Sequence, residues 1–224
     1  MTAPSRAELT LREELVTTAR AMNALGINRA RAGNVSARWH EGPFAGLLVT
    51  PSGLAYERIG AADIVALHLD GVPRDPDAAV PSSEWRFHAA IYGARPDVGA
   101  IVHAHSPFAT AVACHGRSIP AFHYMVAKLG GQEIRCAPYA RFGSAELAAG
   151  AVAALHTYSG CLLAQHGAIA VGRDLSHALE TAVELEGLAE AYWRALQIGT
   201  PPLLSGEEMA AVARQFAHYG QRRH

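Results

Sequence analysis

The stretch Ile101-Val102-His103-Ala104-His105 places two histidines two positions apart in an apolar run. Such a run predicts a buried strand, and because side chains alternate along a strand, both imidazoles should project from one face. A rise of about 3.3 Å per residue puts their Cα atoms about 6–7 Å apart, within reach of one zinc-sized ion. Two hydrogen-bonded core histidines would give the same pattern. The rest of the chain must therefore supply the remaining ligands.

Length and composition narrow the class of protein. The chain has 224 residues, of which 50% are hydrophobic and 17% are charged, so we expect one domain over residues 1–224. Nineteen basic residues nearly balance 20 acidic ones, which leaves no basic field for nucleic acid or an anionic membrane. The sequence shows neither a signal-peptide pattern nor an apolar run long enough for a membrane span. We expect a soluble protein with a small-molecule partner.

The three cysteines, Cys114, Cys136 and Cys161, are an odd number at wide spacing. This spacing disfavours a disulfide framework and a Cys-x-x-Cys zinc site. A reducing cytoplasm is the predicted location.

Periodicity and capping residues predict strands and helices on both sides of the histidine strand. Alternation predicts paired strands around Val35–Trp39 and Leu47–Val49, a further strand at Ile64–Leu69 and another at Cys161–Ala164. Capping residues and helical spacing predict helices that begin near Ser5, Ser82–Ser83, Ser106, Ser144, Ser176 and Ser205. In the second of these helices, a serine hydroxyl would cap the N-terminus and Glu84 would lie in the first turn.

His166 is the third candidate metal ligand. It lies between an apolar strand and Gly167, where a missing side chain allows a close approach. Three histidines with an open position are typical of a catalytic zinc site, because structural sites are normally closed by four protein ligands. The remaining histidines serve as a contrast, and we assign structural roles to the two nearest the motifs, His88 and His123.

Three glycine- or serine-containing junctions are candidates for binding a phosphate. Backbone amides at such turns, together with hydroxyls at helix N-termini, can hold a dianion. Taken alone, each junction is better explained as an ordinary turn or cap. Glu84 directly follows one of them and could face both phosphate and metal, although an acid in a first turn is also common for dipole reasons. The junctions are Gly33-Asn34, Ser52-Gly53 and Ser82-Ser83.

Taken together, these motifs resemble the class II aldolase/adducin family over almost the whole chain. Within the family the chain is most similar to the L-fuculose-1-phosphate aldolases, through the segments 83–88, 118–125 and 136–143. The shared motifs are Gly33-Asn34-Val35-Ser36, Thr50-Pro51-Ser52-Gly53, Pro81-Ser82-Ser83-Glu84, His103-Ala104-His105 and Gln165-His166-Gly167.

The resemblance implies an α/β fold of the α+β type, with a central, mostly antiparallel sheet flanked by helices. It implies a homotetramer with active sites between subunits and one zinc ion per subunit. His103, His105 and His166 become the zinc ligands, and Glu84 becomes the acid-base residue and a fourth ligand when substrate is absent. The phosphate of the substrate would be held by Gly33, Asn34, Ser52, Gly53, Ser82 and Ser83.

The implied reaction is reversible cleavage of a ketose 1-phosphate, such as L-fuculose 1-phosphate. The products would be dihydroxyacetone phosphate and an aldehyde such as L-lactaldehyde, formed through a zinc-stabilised enediolate. Tyr124, from an adjacent subunit, and Tyr219, near the C-terminus, match catalytic tyrosines of the family. Lys128 is the only lysine in the chain, and its surroundings do not suggest the desolvated nucleophile of a Schiff-base aldolase.

The sequence departs from the family pattern at one place, and two alternative functions stay open. Arg29 and Arg31 stand where the fuculose-phosphate enzymes have small residues, and Arg31 either adds a cation near the phosphate, alters which substrate tail fits, or lies exposed. The same zinc scaffold supports epimerases, decarboxylases and a dehydratase. The epimerases carry aspartate where Glu84 stands. Adducin-like binding modules have lost the metal ligands, which this chain retains.

Overall fold

The computed structural model describes residues 4–129 and 131–216. Its α-helices are α1 (Arg6–Ala24), α2 (Trp85–Ala94), α3 (Pro107–Cys114), α4 (Ala145–Leu155), α5 (Leu175–Ile198) and α6 (Gly206–Phe216). Its strands are β1 (Asn34–Glu41), β2 (Phe44–Val49), β3 (Val65–His68), β4 (Ala100–Ala104), β5 (Ile119–Pro120), β6 (Glu133–Ile134), β7 (Cys136–Ala137), β8 (Gly160–Leu163) and β9 (Gly167–Gly172). Short 3-10 helices occupy Ala61–Asp63 and Tyr124–Leu129.

The main sheet has seven strands in the order β3-β2-β1-β4-β9-β8-β7. All neighbouring pairs are antiparallel except β7 and β8, which are parallel. Strands β5 and β6 form a separate antiparallel pair. The expected mostly antiparallel sheet flanked by helices is confirmed. That residues 1–224 are a single domain stays a prediction.

Alternation along the central strands divides the apolar core between the two faces of the sheet. Val35 and Val102 pack with α1 and α5, whereas Ile101 and Ile169 pack with α2 and α4. A third cluster lies among α3, α5 and α6. Because His103 follows Val102 along the strand, its ring faces α2 and touches Phe87. This candidate metal ligand therefore lies at the interface between the sheet and α2.

Two local predictions are wrong in detail. Strand β4 ends at Ala104, so His105 lies one residue beyond it and not on the strand. Glu84 is itself the N-cap of α2, and not a first-turn residue after a serine cap. The reason is a tight turn in which the Trp85 N–H donates to the Ser82 carbonyl, while the Ser82 hydroxyl accepts from the Glu84 N–H. Both corrections place candidate ligand side chains at the ends of regular elements.

The N-terminal helix is fixed to the sheet edge by a buried carboxylate, Glu8. Its side chain is fully buried and accepts hydrogen bonds from Arg12 at 2.8 Å and from Arg74 at 2.5 and 2.8 Å. Arg12 also donates to the Ile64 carbonyl. Burial opposes ionisation of Glu8, but the hydrogen bonds from Arg74 and Arg12 outweigh it and lower the pKa of Glu8.

Replacing Glu8 with glutamine is expected to lower the free energy of unfolding by about 3 kcal/mol at pH 7, because two guanidinium groups lose their shared carboxylate. A lowered folded-state pKa stabilises the protein above the unfolded pKa, and that contribution is lost as the pH falls through the folded value. The difference between wild type and E8Q should therefore shrink at pH 4. Urea unfolding at both pH values measures it, with exposed Glu13→Gln as control. An equal difference at the two pH values would contradict the assignment.

Within residues 4–129 and 131–216, no helix is both long and apolar enough to cross a membrane.

Candidate metal centre and active site

Four side chains converge at the ends of β4, β8 and α2. One ligand atom from each of Glu84, His103, His105 and His166 lies within 4.8 Å of the others. The Nε2 atoms of His103 and His105 are 3.1 Å apart, and the Glu84 carboxylate lies 3.1 Å from Nε2 of both His103 and His166. Ligands of one tetrahedral zinc are about 3.3–3.6 Å apart, so this spacing is near that of a metal site.

Proton positions support a cation at this cluster. The His103 Nδ1–H donates to the Ala168 carbonyl at 2.9 Å, which leaves Nε2 of a neutral ring unprotonated. That lone pair faces a carboxylate oxygen of Glu84 and Nε2 of His105. In addition, Glu84 Oε1 is buried without a hydrogen bond. Several electron-pair donors therefore face one another, an arrangement that a divalent cation stabilises, so the residues fit a metal.

Electrostatics keep the ligands in metal-binding form. Burial and the charges of His103 and His166 lower the pKa of His105 to about 4. Burial opposes ionisation of Glu84, but the imidazoles of His103 and His166, when protonated, outweigh it and lower the pKa of Glu84 far below its ordinary value. At neutral pH His105 is therefore a neutral imidazole and Glu84 a carboxylate, which are the forms that bind a metal.

Two glycines allow the backbone to close around the histidines. A Cβ on Gly33 would lie 2.3 Å from the His103 carbonyl oxygen. A Cβ on Gly167 would lie 2.5 Å from the Ala104 carbonyl oxygen and 3.0 Å from the His105 ring. The close approach expected at Gly167 is thus present. Next to it, Gln165 adopts a left-handed φ of 53°, which turns the chain from β8 into His166.

The structure also brings the three candidate phosphate junctions together. The Ser52 N–H donates to the Val80 carbonyl and the Ser82 N–H to the Thr50 carbonyl, while Pro51 and Pro81 form a β-bridge. Across the adjoining loop, Arg31 is exposed and donates to the Gly53 carbonyl at 2.7 Å. These contacts place the hydroxyl-bearing junctions beside Glu84.

The residues around the Gly33-Asn34 junction have specific partners. The Gly33 N–H donates to the Asn28 side chain at 3.0 Å, so Asn28 supports this loop. Asn34 is buried, and its amide contacts Glu84 and His88. A phosphate contact from Asn34 stays a prediction.

A recess of about 310 Å³ opens over the metal cluster. Exposed Tyr139 and Phe142 contribute to its lining and give it an apolar rim, which the motifs did not identify as functional. Tyr124 lies elsewhere in the described chain, half-exposed, with its ring 6.2 Å from that of Phe216. Tyr219 lies outside the described residues. The catalytic roles of both tyrosines stay predictions.

Residues 13–193 match the family model described as the class II aldolase and adducin N-terminal domain. The chain belongs to this family. It is 51% identical to the 5-methylthioribulose-1-phosphate/5-deoxyribulose-1-phosphate aldolase of Rhodospirillum rubrum, over 95% of this chain and 93% of that protein. It is 45% identical to the L-fuculose phosphate aldolase of Escherichia coli, over 95% and 96% of the two chains.

Solved structures agree with this assignment. An L-fuculose 1-phosphate aldolase structure superposes with a TM-score of 0.88 at 34% identity and covers 96% of this chain and 98% of its own. The L-fuculose-1-phosphate aldolase of Thermus thermophilus gives a TM-score of 0.72 at 28% identity, over 89% and 100% of the two chains. The expected family and enzyme class are confirmed: this is a class II aldolase, a lyase.

Proposed function

We propose that this class II aldolase uses zinc to cleave a ketose 1-phosphate reversibly into dihydroxyacetone phosphate and an aldehyde. The observation that carries the proposal is the convergence of three imidazole nitrogens and the Glu84 carboxylate under an open recess. Relatives named as ketose-phosphate aldolases, at 45% and 51% identity over nearly full length, support the substrate class.

His103, His105 and His166 would hold one zinc ion per chain, with Glu84 as a fourth ligand when substrate is absent. A zinc ion in such a site supplies a Lewis acid that polarises substrate oxygens. A covalent lysine route is disfavoured, because Lys128, the only lysine, is half-exposed and paired with Glu184 at 2.9 Å.

Glu84 is the proposed acid-base residue. In the condensation direction its carboxylate removes a proton from the hydroxymethyl carbon of dihydroxyacetone phosphate, and in cleavage it returns that proton. Its position at the N-cap of α2 fixes the carboxylate while leaving it open to the recess. Tyr124 of a neighbouring copy in a homotetramer would protonate the aldehyde oxygen, and Tyr219 is proposed as a second catalytic tyrosine.

The substrate phosphate would lie against the serine and glycine junctions. Ser52 and Ser83 are exposed beside the recess loops, while buried Ser82 orients the Glu84 backbone. Arg31, held by the Gly53 carbonyl, places a cation at the edge of the same region. The full proposed set is Gly33, Asn34, Ser52, Gly53, Ser82 and Ser83. We also propose a cytoplasmic location, with which the three free cysteines agree.

The aldehyde end of the substrate is expected to carry an apolar tail. Tyr139 and Phe142 expose large apolar surfaces at the rim, and Ala140 and Ala32 complete that side. Such a surface favours a methyl- or methylthio-terminated chain over a polyhydroxylated one. We therefore propose 5-methylthioribulose 1-phosphate, 5-deoxyribulose 1-phosphate and L-fuculose 1-phosphate as candidate substrates, the first two favoured by the more similar relative.

Zinc-loaded protein incubated with each of these three ketose 1-phosphates is expected to release dihydroxyacetone phosphate and one equivalent of aldehyde from at least one. A coupled glycerol-phosphate dehydrogenase assay, with product identification by NMR, measures this. Ketose 1-phosphates with fully hydroxylated tails serve as the comparison and should react more slowly. Epimerised, decarboxylated or dehydrated products without dihydroxyacetone phosphate would reject the proposal in favour of the other reactions of this scaffold.

A further inference from the structure

A line of buried polar side chains leads away from the metal cluster along the interface between β1 and α2. Glu84, His88 and Tyr92 follow one another at intervals of four residues, so they lie on one face of α2. Asn34 and Ser36 are two residues apart on β1 and face that helix. None of the five is more than 6% exposed, and His88 and Ser36 are completely buried.

Consecutive members of this line are in hydrogen-bond contact. Tyr92 Oη lies 2.8 Å from Ser36 Oγ, which lies 2.7 Å from His88 Nδ1. His88 Nε2 lies 2.5 Å from Asn34 Oδ1, and Asn34 Nδ2 lies 2.9 Å from Glu84 Oε2. This line of hydrogen-bonded side chains thus connects Tyr92, near the C-terminal end of α2, with Glu84, the proposed base.

The carboxylate of Glu84, at one end of this line, determines which atom donates in each hydrogen bond. An ionised Glu84 only accepts, so Asn34 must present its NH₂ group to the carboxylate and its oxygen to His88. The His88 Nε2 atom must then carry the proton. Because the ring is buried without a carboxylate partner, it is neutral, and Nδ1 accepts from the Ser36 hydroxyl. The Ser36 oxygen in turn accepts from Tyr92.

We propose that His88 is a positioning residue for the aldol reaction: its Nε2–H locks the Asn34 amide so that Asn34 holds Oε2 of Glu84. The other carboxylate oxygen, Oε1, faces Nε2 of His166 at 3.1 Å and is not held by Asn34, so it is the oxygen that takes the substrate proton. If Asn34 flipped, its oxygen would face the carboxylate, and the two acceptors would repel each other. This inference rests on the proposed function, because it assumes that Glu84 is the base.

Two substitutions at one position separate this role from simple packing. In His88→Gln, the side-chain NH₂ can take the place of Nε2–H toward Asn34, while the contact with Ser36 is lost. In His88→Asn, the shorter amide can contact Ser36 but cannot reach Asn34. Both variants leave a similar defect in the core, so a purely structural role predicts similar losses.

We expect H88N to lose about tenfold to a hundredfold in kcat, as for a displaced catalytic group, with a smaller change in KM. H88Q is expected to retain most of kcat, and both variants should bind zinc stoichiometrically. Exposed His40→Asn, also on β1, is the matched control. The measurements are steady-state kinetics on the ketose phosphate that the wild type cleaves, metal analysis and thermal unfolding.

Equal losses in H88N and H88Q, or no loss in either, would overturn the proposal. A rise in KM at unchanged kcat would also overturn it, because Asn34 would then act on the phosphate and not through Glu84. If neither variant folds, Asn34→Asp replaces them, since it keeps the acceptor for His88 but places an anion against Glu84. It should lower kcat in the same way, and unchanged kcat would reject the proposal. A wild type inactive on every ketose phosphate would instead reject the proposed function.

Discussion

Replacing Glu84 with glutamine is expected to lower kcat for ketose-phosphate cleavage about a hundredfold to ten-thousandfold, the usual contribution of a positioned acid-base group. The amide has the shape of the carboxylate but cannot accept the substrate proton. The fold should survive, because Glu84 lies at a helix end and makes no capping hydrogen bond with its side chain. Three histidines remain to hold the metal, so zinc content should stay near one per chain.

The control for this substitution is Glu146→Gln, which removes an exposed acid from the first turn of α4. Steady-state kinetics and elemental analysis of both variants provide the comparison. Wild-type kcat in E84Q would reject Glu84 as the acid-base residue. Loss of zinc from E84Q would instead show that the carboxylate acts mainly as a ligand.

Removing the metal is expected to reduce turnover at least about a thousandfold, because a Lewis acid contributes several kcal/mol to such reactions. Chelation should also lower the melting temperature, since the metal binds only the folded site and its loss leaves facing donor atoms uncompensated. Added zinc should restore both activity and melting temperature. Activity assays and thermal scans before and after dialysis against a chelator test this.

His103→Ala should resemble the metal-free protein, because its ring lies at the centre of the cluster. His115→Ala, at an exposed position after α3, is the control. Full activity in a preparation with less than about a tenth of a zinc per chain would exclude the metal-dependent mechanism.

The sequence predicted the parts of the site that depend on local pattern. The apolar run around His103 indicated a buried strand, and the glycine after His166 indicated a close approach, which the packing of Gly167 against Ala104 confirms. Pattern alone does not fix where β4 ends, so the apolar run predicts a strand that includes His105, one residue beyond its observed end. Strand ends depend on hydrogen bonds to neighbouring strands, which local periodicity does not report.

The sequence does not predict which partners the buried polar side chains contact. Position in the sequence alone predicts a structural role for His88, although the spacing from Glu84 to His88 to Tyr92 is that of one helix face. Its partners on β1 are 52 and 54 residues distant in sequence, and only the packing of α2 on the sheet brings them together. The parallel pairing of β7 with β8 likewise depends on tertiary structure and has no local signature.

Proton exchange on dihydroxyacetone phosphate alone tests the central claim most directly, because it needs neither the aldehyde nor the identity of the sugar. Zinc-loaded wild type in D₂O is expected to place one deuterium stereospecifically at the hydroxymethyl carbon, as NMR would show, and E84Q should exchange at least about a hundredfold more slowly. Absence of exchange in the wild type, or equal exchange in E84Q, would contradict an aldolase in which Glu84 moves the proton.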